Sequence, residues 1–279
     1  MKILTLNTHS IIEEDYETKL KIFVDGILTE KPDVFALQEV NQTVGAPIVF
    51  NVAETGFVPC EGYHCAIFKD NHALRVAQML KDAGLPYVWT WIPLKIGYSK
   101  YEEGLAVFSQ KKFESIDQFY ISNCQDMNNW KTRKLLGVKT AGCWFYSTHM
   151  GWWDDPEEPF VKQWDKVTAI LGRPQGISDL CFILGDFNCS AEERGQGYDY
   201  VETSGWLDTW KLAKEKDSGY SVEKRIDGWE NRMDEDKKQG MRIDYIWANK
   251  KLFVKQSTVV FNGKNYPIVS DHYGVMIEI

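Results

Sequence analysis

An aspartate and an asparagine lie two residues apart in Gly185-Asp186-Phe187-Asn188. The five residues before them, 180–184, are all large and apolar or Cys, which predicts a short buried β-strand that ends at the glycine. At the mouth of such a strand a carboxylate can bind a cation or accept a proton, and an amide can orient water or a phosphate oxygen. An ordinary turn uses the same residue types, so the chemical interpretation requires partners elsewhere in the chain.

Polar side chains also stand next to five other predicted strands. These residues are Asn7-Thr8-His9, Glu39, Thr148-His149, Asp244 and Asp271-His272. Each of them alone fits a turn, a cap or a satisfied core position. Six coincidences at strand ends are much less probable than one, so together they predict a shared site.

Strand-like and helix-like segments alternate along the chain and must position these residues. The predicted strands are 2–7, 34–38, 87–92, 104–109, 113–121, 134–140, 143–149, 180–185, 243–248, 253–261 and 274–279. The predicted helices are 17–30, 71–84, 159–172 and 193–204. Short turns between strands predict antiparallel hairpins, and intervening helices predict crossovers, so the pattern indicates a mixed α/β layered fold.

No linker rich in Pro, Gly or Ser divides the 279 residues, so we expect one domain spanning 1–279. The polar segment 211–241 predicts a surface excursion, and long loops of this kind are often functional. The six cysteines form no Cys-x-x-Cys pair, which predicts reduced thiols in a cytoplasmic protein. Residues 1–6 read as a first strand without a signal peptide, and no apolar run is long enough to predict a membrane span.

The net charge of −8 argues against a duplex nucleic-acid partner, because such proteins normally carry a basic face. It does not exclude a small phosphorylated substrate, since a bound metal ion supplies local positive charge.

The strand-end motifs together resemble the endonuclease/exonuclease/phosphatase superfamily. The matching segments, in the family's order, are Leu6-Asn7, Leu37-Gln38-Glu39-Val40, Ser147-Thr148-His149, Leu184-Gly185-Asp186-Phe187-Asn188, Arg242-Ile243-Asp244-Tyr245 and Ser270-Asp271-His272. The resemblance implies a DNase I-like four-layer α/β sandwich, in which helices flank two packed mixed β-sheets and the active site lies at one end. Asn7-Thr8-His9-Ser10 and Gly151-Trp152-Trp153-Asp154 are most similar to a bacterial branch that contains maltose 6'-phosphate phosphatase.

The resemblance implies hydrolysis of a phosphate ester with Mg²⁺, or alternatively Mn²⁺, in a site of oxygen ligands. Glu39 is then the principal metal ligand, and Asn7 and Asp271 complete or support the metal site. Asp186 is the general base that takes a proton from the attacking water, and Asn188 orients that water or a phosphate oxygen.

The resemblance also implies roles for the histidines. His272 donates a hydrogen bond to the phosphate while Asp244 holds its ring and favours its protonated form. His149 is a second donor, and the Thr-His pair is typical of the phosphatase and sphingomyelinase branches. His9 replaces an Asp that many nucleases of the family carry, which leaves open whether one or two metal ions act. A zinc site through the histidines is an alternative that the surrounding oxygen ligands disfavour.

Further residues are candidates for substrate contact. Arg133 can reach a phosphate, or it is a surface arginine. Trp152 and Trp153 can stack on a sugar ring at the cleft, or they pack in the core. Asn7 belongs to the substrate-binding set as well as to the metal set. Glu103, in a Glu-Gly-aliphatic strand, resembles a family residue that supports the site without contacting the metal.

These observations leave three candidate functions for the protein. The first is a Mg²⁺-dependent phosphomonoesterase for a small phosphorylated metabolite, a sugar phosphate such as maltose 6'-phosphate, with no nucleic-acid or membrane partner. The second is a phosphodiesterase of the same superfamily that cleaves lipid headgroups or nucleic acid. The third is a non-catalytic interaction module, which the filled set of catalytic positions disfavours.

Overall fold

The structure is a computed structural model that describes residues 1–62, 65–223 and 240–279, and its strands form two sheets. The seven-stranded sheet consists, in spatial order, of β10 (Ala213–Lys216), β12 (Val254–Val260), β13 (Gly274–Glu278), β1 (Lys2–Asn7), β2 (Val34–Thr43), β4 (Tyr101–Ser109) and β3 (Val88–Gly97). The six-stranded sheet consists of β5 (Ser115–Tyr120), β6 (Lys134–Thr140), β7 (Cys143–His149), β8 (Leu180–Asp186), β11 (Asp244–Ala248) and β9 (Leu207–Asp208). Both sheets mix parallel and antiparallel pairs.

Helices cover the outer faces of the two sheets. They are α1 (Tyr16–Glu30), α2 (His72–Asp82), α3 (Phe160–Leu171) and α4 (Gly197–Thr203). The single turn α5 (Thr209–Leu212) instead contacts strands of both sheets, and Leu212 packs with the core between the sheets. The apolar residues of α1 and α2 pack with the outer face of the seven-stranded sheet, and those of α3 and α4 pack with the outer face of the six-stranded sheet. This arrangement confirms the predicted four-layer α/β sandwich.

Strand alternation builds the core between the sheets. In β1, Ile3 points toward the other sheet, whereas Leu4 and Leu6 point toward the helices. In β8, Phe182 and Leu184 face the other sheet, as do residues of β6, β7 and β11. Successive side chains of a strand point to opposite faces, so strands that are apolar on both faces become the centres of both sheets.

Parallel pairing brings polar strand ends to the same edge of the molecule. Asn7 at the end of β1 pairs with Gln38 of β2, and His149 at the end of β7 pairs with Asp186 of β8. Asp244 begins the antiparallel neighbour β11 and also pairs with Asp186. Strand register therefore places these polar residues together at one end of the sandwich.

Strand β2 is longer than the predicted strand 34–38. It continues to Thr43 through an irregularity between Leu37 and Val40, where the register to β4 shifts. Within this irregularity Glu39 adopts a left-handed backbone with φ of 51°. A bulge changes the direction in which a side chain points. The polar pair Gln38-Glu39 interrupts the apolar run, so the sequence pattern predicted that the strand ends there.

Two other expectations differ from the structure. The helix predicted over 193–204 begins only at Gly197, because Gly195 has a left-handed backbone and its N–H donates to the Asp199 carboxylate. Of the predicted surface excursion 211–241, residues 213–216 form the edge strand β10, which pairs with β12. Residues 224–239 of that segment lie outside the described residues.

The six cysteines are free thiols. Within the described ranges, no helix combines the length and the apolar character that crossing a membrane requires.

Gly185 allows the close approach of β8 to β7 just before Asp186. Its φ is 144°, and a Cβ atom added there would lie 2.0 Å from the carbonyl oxygen of Thr148. No real structure tolerates that distance without a backbone shift, so the position requires glycine.

We expect Gly185→Ala to lower the free energy of unfolding by about 3 kcal/mol or more, since backbone strain adds to overpacking. The control is Gly142→Ala in the β6–β7 turn, which shares a left-handed φ of 72° but has no atom within 4 Å of the added Cβ. There we expect a loss of only about 1 kcal/mol. Urea denaturation measures the free energy of unfolding of both variants. Equal losses in the two variants would contradict the close approach of β8 to β7 at Gly185.

Candidate active site

A cleft of about 250 Å³ opens at the end of the sandwich where the polar strand ends meet. Most of the residues predicted from the sequence line it: Glu39, Arg133, His149, Trp152, Asp186, Asn188, Asp271 and His272. Asn7 and Asp244 are buried and contact lining residues from behind. Trp153 lies outside the lining.

Asn7 links the two sheets at the floor of the cleft. Its Nδ2 donates to Glu39 Oε1 at 2.9 Å and to Asp186 Oδ2 at 3.1 Å. Its Oδ1 accepts the backbone N–H of His9 at 3.2 Å. Asn7 thus positions the two carboxylates through its Nδ2, while its Oδ1 accepts one hydrogen bond and keeps a second lone pair.

Asp186 is surrounded by donors and by histidine rings. Its Oδ1 accepts the Asn188 backbone N–H at 2.8 Å, and its Oδ2 lies 3.6 Å from His149 Nε2 and 3.8 Å from His272 Nε2. Burial raises the pKa of Asp186, the charge of His272 opposes this rise, and the net pKa is about 6. A carboxylate with that pKa is ionised at neutral pH yet basic enough to accept a proton.

His272 and Asp244 form a buried pair. His272 Nδ1 lies 2.9 Å from Asp244 Oδ2, and the Ser221 hydroxyl accepts the Asp244 backbone N–H at 3.1 Å. Burial alone would lower the pKa of His272, but the charges of Asp244 and Asp186 raise it well above its ordinary value. The ring is therefore cationic at neutral pH and presents an N–H on its Nε2 side.

His149 differs from His272 in its charge. Burial and the neighbouring cations Arg133 and Lys95 lower the pKa of His149 well below its ordinary value, so its ring is neutral. Its Nδ1 lies 3.7 Å from Glu103 Oε1 and has no hydrogen-bond partner among the described residues. A neutral imidazole donates through one nitrogen only, so the tautomer of His149 decides whether it donates toward Glu103 or toward Asp186.

Glu39 and Asp271 provide the oxygen atoms suited to a hard cation. Burial and the charges of Glu103 and Asp271 raise the pKa of Glu39 to about 7. A divalent cation between such carboxylates would relieve their repulsion, and carboxylate oxygens are the ligands that Mg²⁺ prefers. These donor types therefore suit a hard divalent metal ion, but the described side chains grouped closely enough to share one ion are His9 with Glu13 and Asp271, and Asp186 with Asp244 and His272.

His9 lies beside this acidic pair. Its Nδ1 contacts Glu13 Oε1 at 2.7 Å, and Glu13 also pairs with Lys19. Burial alone would lower the pKa of His9, but the Glu13 hydrogen bond and the charges of Glu39 and Asp271 raise it to about 9. His9 thus places a positive charge beside the carboxylates of Glu39 and Asp271.

Asn188 is fixed by its own backbone and by the loop after β7. It adopts a left-handed backbone with φ of 47°, and its Nδ2 donates to the Met150 carbonyl at 3.0 Å. Asn188 lines the cleft in this fixed position.

Two buried cations line the cleft, and one of them escaped the sequence prediction. Lys95 pairs with Glu103 at 3.1 Å on neighbouring strands β3 and β4, and Arg133 is 3% exposed. Strand β3 was predicted to end at 92, whereas it continues to Gly97 across Pro93. The alternation of Lys95 with apolar neighbours past the proline is the signal that would have found it.

Aromatic rings form the mouth of the cleft. Trp130 and Trp152 have ring centroids 5.3 Å apart, and Tyr98 lies at the same rim. Trp153 packs instead against Phe160 and Tyr200. Of the two adjacent tryptophans, only Trp152 lines the cleft, and Trp153 takes the packing position that was the alternative for it.

Buried carboxylates fasten the two loops that carry these rings. Glu158 accepts the backbone N–H groups of Asn123 and Cys124 at 2.9 and 2.7 Å. Asp155 pairs with Lys131 at 3.0 Å. The mouth is therefore held by hydrogen bonds before any substrate arrives.

Asp244→Asn tests the origin of the His272 charge. Because the variant removes the carboxylate that faces Nδ1 but keeps the side-chain shape, we expect the pKa of His272 to fall by about 1 to 3 pH units. NMR titration of the imidazole measures it. Asp155→Asn, at a buried carboxylate paired with Lys131, is the matched control and should leave the pKa unchanged. An unaltered His272 in Asp244→Asn would refute the pairing.

Comparison with known proteins identifies the family. The model described as "Endonuclease/Exonuclease/phosphatase family" matches residues 4–272. No curated protein matches significantly. An endonuclease/exonuclease/phosphatase family protein from Leptotrichia buccalis C-1013-b is 35% identical, with a TM-score of 0.85 and coverage of 100% of this chain and 99% of that one.

More distant structures share the fold. A mannosyl-6-phosphatase from Bacteroides thetaiotaomicron VPI-5482 is 16% identical with a TM-score of 0.61, covering 100% of this chain and 98% of that one. Truncated TDP2 from Caenorhabditis elegans is 20% identical with a TM-score of 0.59, and the match covers 99% of this chain and 95% of that one. The chain belongs to the endonuclease/exonuclease/phosphatase family, whose members hydrolyse phosphoester bonds.

Proposed function

We propose that this protein is a Mg²⁺-dependent phosphomonoesterase, able to use Mn²⁺, that acts on a small phosphorylated metabolite. The proposed substrate is a sugar phosphate such as maltose 6'-phosphate. The observation that carries the proposal is the meeting of a basic carboxylate, Asp186, a cationic ring, His272, and an oxygen-donor pair, Glu39 and Asp271, in one cleft.

The side chains divide the reaction between them. Asp186 accepts the proton of the attacking water, and Asn7 holds the carboxylate in place for this step. His272 donates from Nε2 to a phosphoryl oxygen, while Asp244 keeps its ring charged and oriented. Asn188 orients the water or a second phosphoryl oxygen, and His149 provides a further hydrogen bond.

Glu39 and Asp271 would hold the metal ion, with Asn7 fixing Glu39. When bound, the ion supplies positive charge that stabilises the developing negative charge on the phosphoryl oxygens.

Two observations support a sugar phosphate. The rim carries Trp130, Trp152 and Tyr98, and aromatic faces commonly bind the apolar faces of sugar rings. A structure with the same fold is a mannosyl-6-phosphatase. The net charge of −8 supports a small substrate over nucleic acid, and the free cysteines support a cytoplasmic location for a single-domain enzyme.

The test measures Mg²⁺-dependent release of free phosphate from a panel of sugar phosphates, beside a bis-ester and nicked or abasic DNA. We expect phosphate release from at least one sugar phosphate and little cleavage of the diesters. Cleavage of the bis-ester or DNA without phosphate release from any sugar phosphate would reject the proposal in favour of a phosphodiesterase. Absence of both activity and Mg²⁺ binding would favour an interaction module.

Variants test the assigned roles. We expect Asp186→Asn and His272→Gln each to lower kcat by at least about 100-fold, since general-base and charge-stabilising groups typically contribute this much. Asp165→Asn, at an exposed carboxylate of α3 that bonds Tyr200, is the control and should keep wild-type turnover. Wild-type turnover in both site variants would overturn the assignment.

A further inference from the structure

The guanidinium of Arg133 is a buried cation. Its side chain lines the cleft and the residue is 3% exposed. Its Nη1 donates to the carbonyls of Trp130 and Thr132 at 2.7 and 3.1 Å, and its Nε has no hydrogen-bond partner among the described residues. Among the described residues, no carboxylate forms an ion pair with Arg133.

The carboxylates of Glu103, Asp186 and Glu39 act on this guanidinium electrostatically but form no direct ion pair with it. Burying an unpaired charge is costly, and carbonyl oxygens satisfy only part of its donor capacity. Arginine binds phosphate through a planar fork of N–H groups, which gives short charge-assisted hydrogen bonds. An anion in the cleft would therefore complete the surroundings of Arg133.

Lys95 provides a second cation in the same cleft. Its Nζ lies 3.1 Å from Glu103 Oε1, and it is almost as deeply buried as Arg133. An ammonium group has three donors, so the pairing with Glu103 leaves donors for a ligand. Lys95 and Arg133 line the same cleft as His149 and Asp186, so both cations face the cavity of the proposed reaction centre.

The fold fixes both residues before a ligand binds. Strand β3 is joined to the loop before β6 by a hydrogen bond from the Ile96 N–H to the Met127 carbonyl at 2.6 Å. The Arg133 carbonyl accepts the N–H of Ile121 at 3.0 Å, and its own N–H donates to the Ser122 hydroxyl at 2.9 Å. The pair is part of the preformed cleft wall.

The two cations Arg133 and Lys95 indicate the charge of the ligand that the cleft binds best. A phosphate monoester has a second pKa near 6, so at pH 7 to 8 it is mainly a dianion with three terminal oxygens. A phosphodiester is a monoanion with two terminal oxygens, and its second ester arm needs room beside the phosphorus. Two cations close to one reaction centre match the dianion better.

We infer that Arg133 and Lys95 form an anion-binding wall that makes the cleft select dianionic phosphomonoesters over phosphodiesters. The inference rests on the proposed phosphomonoesterase function and adds the residues that decide between the two substrate classes. Lys95 and Arg133 act by contacting the phosphoryl oxygens, and Glu103 acts by positioning Lys95.

The test compares two substrates across variants. With Mg²⁺ present, kcat/KM is measured for p-nitrophenyl phosphate and for bis(p-nitrophenyl) phosphate. We expect Arg133→Met and Lys95→Met each to lower kcat/KM for the monoester by about 100-fold, equivalent to about 2.7 kcal/mol, and to change the diester value by less than about 3-fold. Lys139→Met, which removes a charge on β6 outside the cleft, should change neither value.

Two additions keep the result interpretable. Lys95→Met leaves Glu103 without its partner, so Lys95→Met/Glu103→Gln removes both charges and should show the same loss of selectivity. Isothermal titration with inorganic phosphate in the presence of Mg²⁺ should give a Kd at least about 10-fold weaker in Arg133→Met than in wild type or Lys139→Met.

The outcomes separate the inference from the proposed function. Equal losses for the two substrates, or unchanged selectivity and unchanged phosphate affinity, would overturn the inference while wild-type phosphate release still supports the function. A wild-type enzyme without monoesterase activity would instead reject the function. In that case the phosphate titration still decides whether Arg133 binds an anion.

Discussion

One amide group holds the active site together across two sheets. The Asn7 side chain ends β1 of the seven-stranded sheet and donates both to Glu39 of the same sheet and to Asp186 of the other. Gln38, which directly precedes Glu39 on β2, makes a second link between the sheets. Its Nε2 donates to Ser147 Oγ of β7 at 3.0 Å. The buried carboxylate of Asp186 and the partly buried carboxylate of Glu39 are thereby kept at fixed positions, and the remaining groups of the cleft are arranged around them.

The cleft concentrates charge that the fold must tolerate without ligands. Burial raises the pKa of Asp186 to about 6, and burial with neighbouring carboxylates raises that of Glu39 to about 7. Arg133 carries the opposite charge without an ion-pair partner among the described residues. Glu39 and Asn188 also hold left-handed backbones. Such strain and unbalanced charge are typical of functional sites, where a ligand completes the balance.

The pattern of strands and helices predicted a mixed α/β layered fold, whereas the four layers and the roles of the polar strand-end residues were implied by the resemblance to the family. Apolar runs indicate strands, and polar residues directly after them mark the edge where parallel strands end. Lys95 was missed because Pro93 suggests a strand end, whereas β3 continues past it with a register shift. Trp152 and Trp153 were treated alike, since a pattern does not reveal which of two adjacent rings faces a cleft. The bulge that aims Glu39 depends on pairing with β4, which is a long-range contact.

The most direct test of this account is a crystal structure with Mn²⁺ and inorganic phosphate, in which anomalous scattering locates the metal ion. The account predicts an ion bound by Glu39 and Asp271, and a phosphate that contacts His272 and Arg133. An ion held by Asp186, Asp244 and His272, or by His9 and Glu13 without Glu39, would contradict it. So would a phosphate bound away from both His272 and Arg133.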